Sequence, residues 1–401
     1  MLKLENVLRD QFGHKQFRPG QEEIIKALLK KKSVFVILPT GGGKSLLYQL
    51  PSLIMEGTTI VISPLISLME DQVANLQKKW IKAEYLSSSR PKWKKMEIGR
   101  RIIKGDLDLL YLSPEKLFFQ KGSFLKILQK ANISLVAIDE AHCISKWGYD
   151  FRPDYLKLSK IKEFFPDIPI IALTATADKR TQEDVIERIF PTPPQKFFYS
   201  FNRPNIFYRF QRFPSLEEEG VAKLISYLQD HLRESGIIYI RTRHQAERMA
   251  LLLKGEGFAA EPYHAGLSNH IRFQNQKLFQ QGEVKIIVAT TAFGLGIDKP
   301  DIRFVIHFGM PQDIEDYYQQ TGRAGRDGEK SEALLFFSLK NRQVIWNLLM
   351  REEEQGQRDI KLEKFGEMTA LCQTRKCRRQ FILHYFGEEF PNHCENCDRC
   401  C

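Results

Sequence analysis

The chain has 401 residues, enough for two or three domains with separate cores, and its 43% hydrophobic and 27% charged residues are those of a soluble globular protein. No stretch approaches the roughly eighteen apolar residues of a membrane span, and the opening Met-Leu-Lys-Leu-Glu-Asn lacks an export signal's apolar run, so a membrane role is excluded and a cytoplasmic place is expected, at the nucleoid in a bacterium. The net charge of +11, from 60 basic and 49 acidic side chains, favours a polyanionic partner, nucleic acid first.

The segment from Phe12 through Arg18 to Gln21 precedes an amphipathic helical pattern. The Gln21 amide offers a donor and an acceptor that suit the edge of adenine, although read alone it is a helix-surface residue. Strands are predicted at 34–38, 59–62, 109–112, 135–138 and 168–173 with helical patterns between them, the βαβ rhythm of a parallel sheet. After the first comes Pro39-Thr40-Gly41-Gly42-Gly43-Lys44-Ser45. Its glycines let successive N–H groups aim at phosphate oxygens. Lys44 adds a point charge, and Ser45 at the helix start suits Mg²⁺. The strict pattern has Gly where this chain has Leu38.

The run 135–138 ends on Asp139-Glu140, two carboxylates at the strand end where α/β sheets bind ligands. One suits Mg²⁺ and the other the attacking water. Beyond them Trp147, Tyr149, Phe151 and Arg152 read as an exposed loop able to stack on or clamp unpaired bases, or as core packing. His142 reads as a structural link beside the carboxylates. The mixed stretch 90–95 reads as a solvated face.

Pro191, Pro193 and Pro194 break the rhythm, and a linker is expected near 202–208. The rhythm restarts with strands at 236–240, 260–263, 285–289, 303–308 and 333–337. Between the last two lies Gln319-Gln320-Thr321-Gly322-Arg323-Ala324-Gly325-Arg326-Asp327-Gly328. It reads either as a basic surface turn or as the source of the cation that phosphoryl transfer needs. Cys377, Cys394, Cys397 and Cys400 have the spacing of a closed zinc site, with Cys372, Cys401 and Cys143 outside it. Arg375, Lys376, Arg378 and Arg379 beside the first ligand read as facing DNA phosphates or solvating a helix.

Together these stretches, with 62–72, 111–115, 173–177, 263–267 and 289–300, resemble the RecQ family of superfamily-two DNA helicases. The resemblance implies an α/β fold: two tandem RecA-like parallel-sheet domains, 1–207 and 208–340, then a small helical zinc-binding subdomain, 341–401. It implies an ATP-dependent 3′–5′ DNA helicase, with ATP, Mg²⁺ and Zn²⁺ as ligands and single-stranded and forked duplex DNA as partners, acting as a monomer. It assigns Phe12, Arg18, Gln21, Thr40 to Ser45 (Gly41, Gly42 and Gly43 included) and Gln319 to the nucleotide, and Arg326 as arginine finger beside Arg323. It assigns Ser63, Pro64, Thr174, Thr176 and His264, with the loop of Trp147, to strand binding and coupling. Tyr149 stands where His is common, and Gln320 where Glu is usual. The winged-helix and accessory domains of many members have no counterpart in these residues. Rival readings are an RNA-dependent ATPase and an ATP-gated DNA-binding or strand-annealing module.

Overall fold

The computed structural model describes residues 2–87, 90–148, 150–294 and 299–401, with 2, 3 and 119–123 described by their backbone alone. The chain divides into two compact units, Met1–Ser200 and Phe201–Cys401.

The first unit is a sheet of seven strands: β1 (Val34–Ile37), β2 (Thr58–Ile62), β3 (Ala83–Leu86), β4 (Leu109–Leu112), β5 (Ile133–Ile138), β6 (Ile170–Thr174) and β7 (Gln195–Phe198), in the order β3-β4-β2-β5-β6-β1-β7. Every pairing is parallel. The inner strands are buried along their whole length, as strands covered by helices on both faces must be. This order puts the carboxyl ends of β5, β6 and β1 side by side, so the loops that follow them share one rim.

The second unit has six parallel strands: β8 (Ile206–Arg212), β9 (Ser235–Tyr239), β10 (Ala260–Tyr263), β11 (Ile286–Ala289), β12 (Ile302–Phe308) and β13 (Ser331–Phe337), in the order β10-β11-β9-β12-β13-β8. Helices Leu339–Leu349, Gln355–Gln373 and Arg378–Tyr385 follow, then the cysteines. The cysteine segment bridges to β8 at Tyr208 and Cys397, and Phe386 stacks on Phe201 with ring centroids 4.4 Å apart. Among the described residues no helix is long and apolar enough to cross a membrane.

The ten predicted strands all form, each within two residues of its expected ends. Three unpredicted strands, β3, β7 and β8, are edge strands. β7 and β8 are partly solvated, and β3 carries the buried Glu84, so none has the continuous apolar run of an inner strand. The expected linker 202–208 therefore runs into β8 rather than stopping before it.

Candidate functional site

The loop 39–45 leaves β1 and enters the helix Leu46–Ser52. Gly41 and Gly43 have φ of +82° and +77°, a region costly for any side chain. Leu38 fills the space beneath, so that a Cβ on Gly42 would stand 2.6 Å from its Cγ. The amide of Gln21 is committed on both sides. Its Oε1 accepts from the N–H of Arg18 at 3.0 Å, and its Nε2 donates to the carbonyls of Gly42 and Gly43, at 3.2 Å each. A guanidinium N–H of Arg18 donates to the Gly41 carbonyl, and Lys44 Nζ donates to that of Leu38 at 3.3 Å. The Gly42 N–H closes the loop on the Pro39 carbonyl at 3.0 Å, and with the carbonyls of 41–43 tied to side-chain donors the other N–H groups suit an anion. Phe12, by contrast, packs into the core with Lys79 over its ring at 5.1 Å.

Asp139 and Glu140 follow β5, both buried. Glu140 has φ of 48° and ψ of 49°, a left-handed conformation that a glutamate adopts only when its surroundings enforce it. Asp139 Oδ1 accepts from the Glu140 N–H at 3.0 Å. Burial pushes the Asp139 carboxyl above its ordinary range, against the pull of Lys44 and of that N–H. The Asp139 carboxylate and the Ser45 hydroxyl are hard-oxygen donors that fit Mg²⁺, and the Lys44 ammonium suits the phosphate such an ion would accompany.

From the turn after these carboxylates a hydrogen bond runs to β6, with His142 standing beside Glu140. His142 Nδ1 lies 3.4 Å from Glu140 Oε2 and 2.8 Å from Thr174 Oγ1. That hydroxyl donates its one proton to the Thr176 carbonyl at 3.0 Å, so Nδ1 of His142 must be the donor to it. The aromatic loop folds back on the same turn. A Cβ on Gly148 would strike the His142 carbonyl at 2.5 Å, and the Arg152 N–H donates to the Cys143 carbonyl at 3.0 Å. Cys143 itself is core, its thiol pushed up by burial.

Trp147 is half-buried under the guanidinium of Arg180, 4.3 Å from its ring centroid. Arg152, expected to clamp bases, grips Asp150 at 2.9 Å and the Pro64 carbonyl at 2.9 Å, tying the loop to the end of β2. Phe151 is half-buried and Ser63 buried. Tyr155 closes the aromatic loop expected over 143–155, and its hydroxyl donates to the Asp139 carbonyl at 3.2 Å. Sequence reasoning missed Arg180, which lies far along the chain from the ring it covers and which no local pattern marks. In the stretch 90–95, Arg90 and Lys94 turn onto the buried Glu84, at 3.5 and 3.2 Å. Tyr149 and 295–298 lie outside the described residues.

In the second unit the helix Ile314–Thr321 delivers the arginine turn, and Gln319 and Gln320 are buried on it. Arg323 is 2% exposed, with Tyr239 beside it, while Arg326 is half-exposed. The segment expected as linker holds this turn. Arg203 donates to the carbonyls of Gly322, Ala324 and Gly325 at 2.9, 2.8 and 3.0 Å, and Asn205 Nδ2 adds a bond to Gly325 at 2.9 Å. His307 Nε2 meets Gln320 Oε1 at 2.8 Å, and burial lowers its pKa to about 4. His264 is buried, 3.0 Å from a Glu247 carboxylate oxygen.

The ligand atoms of Cys377, Cys394, Cys397 and Cys400 all lie within 4.8 Å of one another. Four sulfurs about 2.3 Å from a tetrahedral zinc stand about 3.8 Å apart, so the cluster fits that ion. Backbone N–H groups of Gln380, Asn396 and Cys394 point at three of the sulfurs, at 3.4 Å each, the outer support a thiolate site requires. Cys372 is buried and Cys401 exposed, and neither joins the cluster. The reading of Arg378 and Arg379 as phosphate contacts is corrected. Both are buried, Arg378 against Asp398 at 3.0 Å and Arg379 against Asn202 and the Ile206 carbonyl, at 2.7 and 2.6 Å. Arg375 and Lys376 remain exposed.

Three family models match the chain: DEAD/DEAH box helicase over 18–185, helicase conserved C-terminal domain over 219–328 and RecQ zinc-binding over 339–401. The chain is 44% identical over 396 residues to the ATP-dependent DNA helicase RecQ of Pasteurella multocida, which covers 98% of this chain and 62% of that protein. Against the ATP-dependent DNA helicase RecQ of Bacillus subtilis the identity is 40% over 401 residues, covering 99% and 67%. The chain thus spans between 62% and 67% of the length of these relatives. Among solved structures, the DUF1998 helicase MrfA bound to DNA and AMPPNP is similar with a TM-score of 0.71 at 16% identity, over 97% of this chain and 58% of that one, a likeness of fold alone.

Proposed function

The chain belongs to the RecQ family of helicases, and on that premise we propose that it hydrolyses ATP to move 3′ to 5′ along single-stranded DNA and open duplexes at forks. Arg18 and Gln21 line the adenine side, with Phe12 behind them; the amide N–H groups of Gln21 are spent on the loop, and the second lone pair of its Oε1 is left for the base. The N–H groups of 40–45 and Lys44 hold the phosphates. Ser45 and Asp139 would hold Mg²⁺, whose charge would polarise the terminal phosphoryl group. Glu140 orients the attacking water and receives its proton. Arg326 meets the charge of the transition state as arginine finger, with Arg323 and Gln319 alongside on the phosphates.

The observation that carries this reading is the turn after Glu140, where His142 stands 3.4 Å from the carboxylate and donates to Thr174, and onto which the Trp147 loop folds. Bases stacked on Trp147 and Phe151 load the loop that Arg152 ties to Pro64, and its other end orients Glu140. Ser63, Pro64, Thr174, Thr176 and His264 serve the strand's backbone. The protein acts as a monomer in the cytoplasm, at the nucleoid in a bacterium.

Turnover with single-stranded DNA and with RNA of equal length tests this. DNA is expected to stimulate hydrolysis severalfold more than RNA, and Trp147→Ala to abolish the stimulation. Equal stimulation by RNA would make the chain an RNA-dependent ATPase. DNA binding without stimulation would make it an ATP-gated binding or annealing module.

A further inference from the structure

The arginine turn does not hold itself. The carbonyl oxygens of Gly322, Ala324 and Gly325 all accept from one side chain, Arg203, with Asn205 doubling the bond at Gly325. Gly325 has φ of +56°, and a Cβ there would fall 2.4 Å from Asn205 Nδ2 and 2.6 Å from Ser331 Oγ. The turn is therefore pressed against the segment that gathers its carbonyls. A guanidinium is suited to this task, because its donors form a rigid planar fork that one ammonium cannot reproduce.

Arg203 is itself held from the other side. Its own carbonyl accepts from Arg379 at 2.6 Å, and the same guanidinium reaches Asn202 Oδ1 at 2.7 Å. Arg379 stands two residues after Cys377, in the first turn of the helix that begins at the cysteine cluster. Asn396, next to Cys397, donates to the Pro204 carbonyl at 2.7 Å. One chain of contacts thus leads from the cysteine module to 202–205 and on to the turn bearing Arg323 and Arg326.

We propose that Arg203 is a positioning residue for hydrolysis, fixing the backbone from which Arg326 reaches the phosphates, and that Arg379 orients Arg203 on behalf of the cysteine module. This rests on the assignment of Arg326 as arginine finger. A finger's contribution depends on placement, since a shift of about 1 Å in a reacting geometry costs up to a hundredfold in rate. Loosening the turn therefore lowers kcat while leaving ATP binding to the phosphate loop of the first unit intact.

The test is a double-mutant cycle on kcat at saturating single-stranded DNA, with a non-hydrolysable ATP analogue titrated in parallel and thermal midpoints recorded for every variant. Arg203→Gln is expected to lower kcat by tenfold or more, within the range that misplacement produces, and to leave the analogue Kd within about twofold. In an Arg326→Ala background the same change lowers kcat far less, because only the contact of Arg323 is left to misplace. Arg203→Lys recovers the thermal midpoint but not kcat, and Asn205→Ala and Arg379→Lys give milder versions of the kcat loss if Arg203→Gln is too unstable to assay. Equal loss of kcat from Arg203→Gln in both backgrounds, full recovery by Lys, or a rise in analogue Kd in place of a fall in kcat would overturn the proposal. If Arg326→Ala alone leaves kcat unchanged, the failure lies in the finger assignment instead.

Discussion

The phosphate loop of the first unit and the arginine turn of the second are held by the same device. In each, an arginine and a side-chain amide on a preceding segment donate to three glycine-rich carbonyls: Arg18 and Gln21 to 41–43, Arg203 and Asn205 to 322–325. The difference is in what stands behind. Arg18 is partly exposed on a segment near the N-terminus, whereas Arg203 is braced by Arg379 and by the cysteine module packed on β8. A loop that must admit and release a ligand has one layer of support, and a turn that must present a cation at a fixed place has two.

Metal removal puts the most strain on this contrast. Structural zinc sites contribute on the order of 10 kcal/mol to the fold they close, so chelation or Cys397→Ser should lower the thermal midpoint of the second unit by about 10 °C or more. Nucleotide-analogue affinity, which belongs to the first unit, should stay put. A loss of both together would show that the two loops share their support after all.

A smaller effect comes from protons. The second unit relies on buried neutral groups such as His307, whose folded pKa of about 4 lies below its ordinary 6.5. The unfolded chain therefore takes up the proton first, and stability falls as pH drops from 6.5 towards 4, by about 3 kcal/mol at most. Urea midpoints of the wild type and of His307→Phe across that window should diverge in slope, the variant being flatter. Parallel slopes would remove His307 from the account.

The smallest expected effect is at the singly supported loop. Gln21→Ala leaves the carbonyls of Gly42 and Gly43 without their donor, worth about 1 kcal/mol. The KM for ATP should rise about fivefold with little change in thermal midpoint. A KM unchanged within error would mean that the loop keeps its shape without the amide.

What was legible in the sequence was local. The inner strands showed as apolar runs, the phosphate loop as glycines before Gly43-Lys44-Ser45, the carboxylates as a pair on a strand end, and the metal ligands as a spacing. What was hidden joins residues far apart. Residues 202–208 looked like a linker because nothing nearby says that Arg203 reaches a turn more than a hundred residues on, nor that Arg379 returns to Asn202. Arg378 and Arg379 beside a cysteine ligand resembled a phosphate contact, since a buried structural arginine and a solvated one have the same local sequence. The edge strands were missed because β7 and β8 carry polar residues on their solvated positions and β3 is broken by Glu84, so none shows an apolar run.

The decisive measurement is strand separation on a forked DNA duplex in the presence of ATP. The chain should open a fork with a 3′ single-stranded tail, a non-hydrolysable analogue should support binding without opening, and Glu140→Gln should bind the fork yet leave it closed. Opening that persists in Glu140→Gln, or forks bound and never opened while ATP is consumed, would contradict ATP-driven opening.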